Sequence, residues 1–169
     1  PGTNFNDFQE MWGNVKAPNP MALVKGRKVY DRRDPTQIMW SDPRDADEVA
    51  AAEATWTWSN NAALVQADYL VQPYGGRVSP ARMNYDKIAE AANYDDELVG
   101  TTTEGELIRR HTIDGVITLN QSPNSVIASM LSANRGFVIQ RAGRVWVSSS
   151  QPLTPILTIH DGLLTGGIE

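Results

Sequence analysis

The 169-residue sequence predicts an α+β fold in which about three helices pack on a mostly antiparallel sheet. Apolar residues recur at helical spacing near 59 to 72, 84 to 95 and 122 to 135, and each segment opens with a residue that can cap a helix. Shorter apolar runs bounded by turn residues, above all 137 to 141 and 144 to 148, are typical of paired antiparallel strands.

Length and composition limit the classes of protein that fit. Domains commonly run about 100 to 200 residues, so we expect residues 1 to 169 to form a single domain, with an acidic, alanine-rich insert at about 42 to 54. The chain opens with Pro1 and Gly2 rather than methionine, and we interpret it as an internal segment of a larger protein. A net charge of -5 argues against a nucleic-acid-binding protein, because such proteins need cations to displace phosphate counterions. Cysteine is absent, which excludes disulfides and thiolate chemistry.

No apolar run approaches the roughly eighteen residues that a membrane span needs, so we expect no membrane contact by this segment. In the first half, Ala22–Asp31 has the pattern of a strand. Asp42 can cap a short helix that has Pro43 at its first position. The echo between "IMWS" and "TWTWS" suggests two tryptophan-bearing strands around this insert, with Trp56 and Trp58 on one buried face.

Two helices are predicted in the middle of the chain. The first has Ser59 or Asn60 as its cap and ends before Pro73, because the residue before a proline is pushed out of helical geometry. The second begins at Asn84. The residues expected on the buried faces are Ala63, Leu64, Ala67 and Leu70 in the first helix and Tyr85, Ile88 and Ala92 in the second.

A strand, a helix and a hairpin are predicted to follow. The segment 107 to 121 reads as a strand bulged at Gly115. The next helix has Ser122 as its cap, Pro123 at its first position and Gly136 just past its end.

The hairpin turns at Ala142 and Gly143, which sets Ile139 opposite Trp146 and Val138 opposite Val147. Both of its faces are then apolar, and we expect both to be covered. A further strand is predicted around Ile156 to Ile159.

The histidines do not predict a catalytic or metal site. His111 follows two arginines at a strand start, and we interpret it as a surface or edge residue. His160 and Asp161 are adjacent, so on a strand they point to opposite sides and orient one another poorly. Two histidines without cysteine do not make a zinc site. We predict no catalytic, cofactor-binding or metal residues and no cofactor.

Acidic residues offer two alternatives that the pattern disfavours. Asp95, Asp96 and Glu97 lack the alternating ligand spacing of a calcium loop and read as a solvated helix end. A lysozyme-like pair could come from Asp47, Glu53 or Glu104, but no sequence feature places one of them in an apolar pocket. No glycine-rich phosphate-binding motif occurs. Trp40, Trp56 and Trp58 favour a carbohydrate- or receptor-binding module if they are exposed.

The order and wording of several segments point to a known family. "VKGRKVYD", "WSNNAALVQADYL", "KIAEAANYDDELV", "HTIDGVITLNQSPNSVIASMLSANRGFVIQRAGRVWV" and "LTIHDGLLTGGI" follow one another along the chain. Together they resemble the central tail hub, or tip attachment (host-specificity), proteins of lambda-like long-tailed phages. The resemblance covers about 22 to 168 and is most specific from the Asp-Gly-Val stretch to the hairpin. The acidic insert departs from the family pattern.

The resemblance implies a structural role and no enzymatic activity. Such hubs close the distal end of the tail tube as a trimeric ring or cap, so it implies a homotrimer of the full-length protein. It also implies partners among the tail tube, tape measure and distal tail components, and a location in the virion tail after assembly in the host cytoplasm. A peptidoglycan-degrading tail enzyme is the further alternative.

Overall fold

The structure, a computed structural model, describes residues 24–118 and 120–151. This part of the chain is a mixed α+β fold with four helices and three short antiparallel strand pairs. The helices are α1 (Ala46–Thr55), α2 (Ala62–Val71), α3 (Tyr85–Asp95) and α4 (Pro123–Ser132). The strands are β1 (Lys28–Val29), β2 (Thr57–Trp58), β3 (Leu98–Thr101), β4 (Leu107–Arg109), β5 (Phe137–Arg141) and β6 (Arg144–Ser148), and a 3-10 turn covers Pro80–Arg82.

The three predicted helices are present, with caps close to those expected. Ser122 caps α4 by accepting a hydrogen bond from the Ser125 N–H, and Asn84 caps α3 by accepting from the Lys87 N–H. The cap of α2 is Asn61 rather than Ser59 or Asn60, because its side chain is the one that reaches the Leu64 N–H. A helix also forms in the acidic insert, but it begins later than predicted.

In that insert, Asp45 is the cap of α1, and its carboxylate accepts from the N–H groups of Asp47 and Glu48. The side chain of Asp42, the predicted cap, instead pairs with Arg44, which lies two residues further along. Asp45 therefore caps the helix in place of Asp42, and the helix begins at Ala46, after Pro43. Alanines fill much of the helix, and Ala52 is its buried residue.

The predicted single sheet is replaced, in the described residues, by three separate strand pairs: β1 with β2, β3 with β4, and β5 with β6. The strand predicted over Ala22–Asp31 shortens to β1, in which Val29 is the buried side chain; residues 22 and 23 lie outside the described residues. The strand predicted over 107 to 121 shortens to β4, and beyond it Val116 is 93% exposed. Among residues 110–118 and 120–121 no further strand forms, since side chains such as Val116 have no covering layer to pack against.

The hairpin of β5 and β6 confirms the predicted register: Ile139 pairs with Trp146 and Val138 with Val147. Its turn has positive φ at both Ala142 (48°) and Gly143 (76°), as the tight turn of a two-residue hairpin requires. The expectation that both faces are covered is wrong. Val145 and Val147 are buried, where β6 contacts α2 and α3, whereas the adjacent residues Phe137 and Val138 of β5, which point to opposite faces, are both exposed.

The core gathers between α2, α3 and β6. Its largest fully buried side chains are Trp40, Trp56, Leu64, Met83 and Ile88. All four residues predicted on the buried face of α2 belong to it, and so does Ala92 of α3. Trp58 does not, since 39% of it is exposed. The expectation of two buried tryptophans on a strand fails there because the β1–β2 pair is two residues long and the covered surface stops at Trp56.

Trp40 is also buried, but it lies in an irregular segment and not in the strand that was predicted for it. Within residues 24–118 and 120–151, the helices are all too short or too polar to cross a bilayer. The strand predicted at Ile156 to Ile159 lies outside the described residues.

Candidate functional site

A buried carboxylate, Asp95, is the strongest concentration of polar chemistry in the fold. It ends α3 and is completely shielded from solvent. Its Oδ1 accepts the hydroxyl of Ser149 at 2.6 Å and faces Nδ1 of His111 at 2.9 Å, while its Oδ2 accepts the Ala63 N–H at 2.9 Å. Three separate parts of the chain therefore meet at one side chain.

The network continues from Ser149 into the interior. Asn134 donates to the Ser149 hydroxyl at 3.0 Å, and Gln66 donates to Oδ1 of Asn134 at 3.0 Å. Gln66 also donates to the carbonyl of Met130 in α4 at 2.9 Å. Gln66, Asn134 and Ser149 are all buried, so each polar group replaces its lost water with a protein partner. This network joins α2, α3, α4 and the end of β6.

Serine, histidine and aspartate invite comparison with a nucleophile relay, but their arrangement differs from one. In a relay the histidine lies between the serine and the carboxylate, so that it can take the hydroxyl proton. Here Ser149 and His111 both bind Oδ1 of Asp95, and the Ser149 hydroxyl donates to the carboxylate. Ser149 is 1% exposed, which leaves its oxygen no open path to a substrate. The hydrogen bonds of this cluster connect segments that are far apart in the chain.

His111 was expected at the surface or at an edge, and the structure places it in this network. Its side chain is 20% exposed, and its backbone N–H donates to the carbonyl of Asp95 at 3.1 Å. The next residue, Thr112, forms an antiparallel bridge with Asn61. The backbone and side-chain hydrogen bonds of His111 together hold the segment after β4 against the end of α3. His160 and Asp161 lie outside the described residues.

The prediction that Asp95, Asp96 and Glu97 form a solvated helix end is wrong for the buried Asp95 and the half-buried Asp96, whereas Glu97 is exposed as predicted. Asp95 is buried, Asp96 pairs with Arg33 at 2.9 Å and lies 3.5 Å from Arg109, and Glu97 pairs with Arg110 at 2.6 Å. All three acids contact the segment 109 to 111, and Asp95 and Asp96 also bind parts of the chain elsewhere. The sequence signal was present in the arginines at 109 and 110, but their pairing depends on the turn that brings β4 back beside β3.

The carboxylates considered for a glycosidase occupy unrelated settings. Asp47 is exposed in the first turn of α1, Glu104 is exposed in the turn between β3 and β4, and Glu53 pairs with Arg27. None of these carboxylates is buried. No group of three His, Cys, Asp or Glu side chains that could hold a metal ion occurs among the described residues.

A second partly buried charge cluster links β1 to the helices. Arg27 contacts both Glu53 of α1 and Asp68 of α2, the latter at 3.1 Å. Gln72 also donates to Asp68, at 2.8 Å. Burial raises the pKa of the Asp68 carboxyl above its ordinary value, and Arg27 opposes that shift. Sequence reasoning missed Asp68, because a single acid on an otherwise apolar helix face gives no sign of its distant partner.

An exposed apolar surface was also missed. The β3–β4 ribbon, residues 98 to 101 and 107 to 109, is exposed along its whole length. Leu98 is 57% and Leu107 is 63% exposed, and Val99 and Ile108 are exposed as well. Strand β3 was overlooked because the sequence from Tyr85 to Val99 continues the helical pattern, while the structure ends α3 at Asp95. Exposed apolar patches are typical of surfaces that contact another protein or a ligand.

No protein-family model matches the chain, and a search of curated proteins finds no match.

Proposed function

We propose that this chain is an internal part of the central hub, or tip attachment (host-specificity) protein, in the tail tip of a long-tailed phage or prophage. The observation that carries the proposal is the ordered resemblance of five sequence segments to that family. Its most specific part runs from the Asp-Gly-Val stretch to the hairpin, and in the fold this part contains α4, β5 and β6. The role is structural and not enzymatic.

Two features of the fold support a role inside an assembly. The β3–β4 ribbon exposes apolar side chains on a protein that otherwise has a well-formed core. The outer strand of the hairpin exposes Phe137 and Val138. Both are surfaces that a neighbouring subunit would cover. The partners are the tail tube, the tape measure and the distal tail components, and the full-length protein is a homotrimer in the virion tail, assembled in the host cytoplasm.

The carbohydrate- or receptor-binding alternative depends on exposed tryptophans. Trp40 and Trp56 are each 2% exposed and have no surface to offer a sugar ring. Trp58 is exposed, and the Lys25 ammonium lies 5.4 Å from its ring centroid. A single aromatic side chain makes a poor sugar platform, so we favour the hub. The peptidoglycan-degrading alternative has no buried carboxylate among Asp47, Glu53 and Glu104 to act as proton donor.

Immunogold electron microscopy tests the proposal. Antibodies raised against this chain would be applied to tailed particles from the organism that carries the gene, with preimmune serum as the control. We expect gold at the distal tip of the tail, opposite the head. Gold on heads or along the tail shaft, or gold absent from particles whose mass spectra lack the chain, would refute the proposed location.

A further inference from the structure

A shallow cleft of about 200 Å³ lies where the turn before β6 meets the start of α3. Arg32 and Arg144 line it together with Asn84 and Asp86. Arg144 is fixed there because its guanidinium donates to the carbonyl of Met83 at 3.2 Å. The end of the hairpin turn therefore carries an arginine into a cleft formed by another part of the chain.

Two further arginines flank this cleft. Arg141 is the register partner of Arg144 across the turn, and Arg82 donates to the carbonyl of Gly143 at 3.3 Å. All four arginines, Arg32, Arg82, Arg141 and Arg144, are exposed. We use the term arginine cleft for the cleft together with these four arginines, of which Arg32 and Arg144 line the cleft and Arg82 and Arg141 flank it. It is a cationic surface on a chain whose net charge is -5.

Few carboxylates neutralise this surface. Asp86 lies 3.7 Å from Arg32, and both side chains are largely exposed. Among the described residues, no ion pair reaches Arg82, Arg141 or Arg144. Like charges placed opposite one another on a strand pair are destabilising, so Arg141 and Arg144 oppose the fold of the isolated chain. An anionic partner would turn this repulsion into attraction.

The dimensions of the cleft favour a carboxylate as that anion. A guanidinium has five N–H donors in a fixed fork, and one of those of Arg144 is used by the hydrogen bond to the Met83 carbonyl. The remaining donors match the two oxygens of a carboxylate. A cleft of about 200 Å³ accommodates one aspartate or glutamate side chain, while Arg82 and Arg141 lie outside it for neighbouring acids. Nucleic acid fits less well, because it binds through many phosphate contacts along its length, whereas this surface offers four arginines at one place.

We infer that the arginine cleft docks a carboxylate-rich segment of a partner protein. One acidic side chain enters the cleft between Arg32 and Arg144, and the residues next to it in the partner contact Arg82 and Arg141. The inference stands apart from the proposed function, since it rests on the charges and geometry of this surface. It assigns to the hairpin turn a role in recognition.

Fluorescence anisotropy with a labelled, N-acetylated hexaglutamate peptide tests the inference on the full chain. Charge-assisted hydrogen bonds are among the stronger polar contacts, so Arg32→Ser and Arg144→Ser should each weaken peptide binding about tenfold. Arg144→Lys keeps the charge but loses the fork and should weaken binding by a smaller factor. Arg44→Ser is the matched control, because Arg44 is exposed in the insert and pairs with its own Asp42.

Circular dichroism and urea unfolding would establish that each variant is folded. Equal weakening by Arg44→Ser would mean that diffuse charge accounts for the binding, which overturns the inference. A labelled hexathymidylate that binds more tightly than the peptide would also overturn it, because the surface would then select phosphate. So would self-association that Arg32→Ser abolishes, since the occupant would be a second copy of this chain.

Discussion

The hydroxyl of Ser149 donates a hydrogen bond of 2.6 Å to the carboxylate of Asp95, although 54 residues separate them in the chain. This bond joins the residue just after β6 to the last turn of α3, and both side chains are buried. His111 and the Ala63 N–H bind the same carboxylate, so this buried acid connects α3 to three other segments of the fold. Its removal is the most direct test of what stabilises this domain.

Replacing Asp95 with alanine should lower the free energy of unfolding by more than about 3 kcal/mol, because buried donors on Ser149 and Ala63 then lack a partner. Asp95→Asn retains an acceptor oxygen and should cost less. Urea unfolding followed by circular dichroism measures both. Asp47→Ala is the control, since this acid is exposed, and it should cost less than about 1 kcal/mol. Equal losses for Asp47→Ala and Asp95→Ala would contradict the role of the network.

Two tryptophans two residues apart should behave differently. Trp56 is buried and its indole N–H donates to the Ile38 carbonyl at 2.7 Å, so Trp56→Ala should cost about 3 to 5 kcal/mol. Trp58→Ala should cost less than about 1 kcal/mol, because its side chain is exposed. Chemical denaturation gives the energies, and acrylamide quenching of Trp→Phe variants gives the exposure. If Trp58→Phe left the quenchable fraction unchanged, the exposure assigned to Trp58 would be wrong.

The hairpin turn offers a stabilising substitution. Ala142 has a φ of +48°, a conformation that costs a residue with a side chain of order 1 kcal/mol. Asparagine tolerates this region, and Asn-Gly is the preferred pair in such turns, so Ala142→Asn should stabilise the domain by about 0.5 kcal/mol. Ala142→Val should destabilise it by about 1 kcal/mol, since a β-branched residue resists positive φ. Thermal and urea melts would show the order Asn, Ala, Val, and any other order would argue against this turn geometry.

The stability of the domain should depend on pH through Asp68. Burial raises the pKa of Asp68, so the folded protein binds its proton more tightly than the unfolded chain does. This contribution is full below the unfolded pKa of about 3.9 and is lost as the pH rises through the folded pKa. Asp68→Asn cannot ionise, and its stability relative to the wild type should therefore increase as the pH rises above about 4.

Asp34→Asn is the matched comparison for this pH series, because hydrogen bonds from Thr36 lower the pKa of Asp34. The contribution of Asp34 to stability is present above the unfolded pKa and is lost as the pH falls through the folded pKa. The free energy of unfolding of Asp34→Asn should therefore decrease relative to that of the wild type as the pH rises. Urea unfolding from about pH 2 to 8 measures both slopes, because the slope of Asp34 lies below about pH 4 and that of Asp68 lies above it. Parallel slopes for the two variants would show that the environment of Asp68 has been misjudged.

Local signals in the sequence account for most of the regular structure. Ser122 and Pro123 start α4, Asn84 starts α3, and Gly143 fixes the turn of the hairpin. Each depends on residues within a few positions of one another, so neighbouring chemistry is sufficient. The apolar stripe of α2 was predictable for the same reason, because its period is set by the helix itself.

The polar interior and the two exposed surfaces required the tertiary structure. The sequence placed Asp95 in an acidic run that reads as solvated, and it gave no sign that Ser149 and His111 would approach one carboxylate. It also could not separate Trp56 from Trp58, since the alternation is the same for both and the extent of the covering layer decides which one is buried. By itself the sequence determined where α3 and α4 begin, where the hairpin turns and which of its residues lie opposite one another. Which charges are buried, paired or exposed was decided by contacts between residues far apart in the chain, because desolvation depends on every segment that surrounds a group.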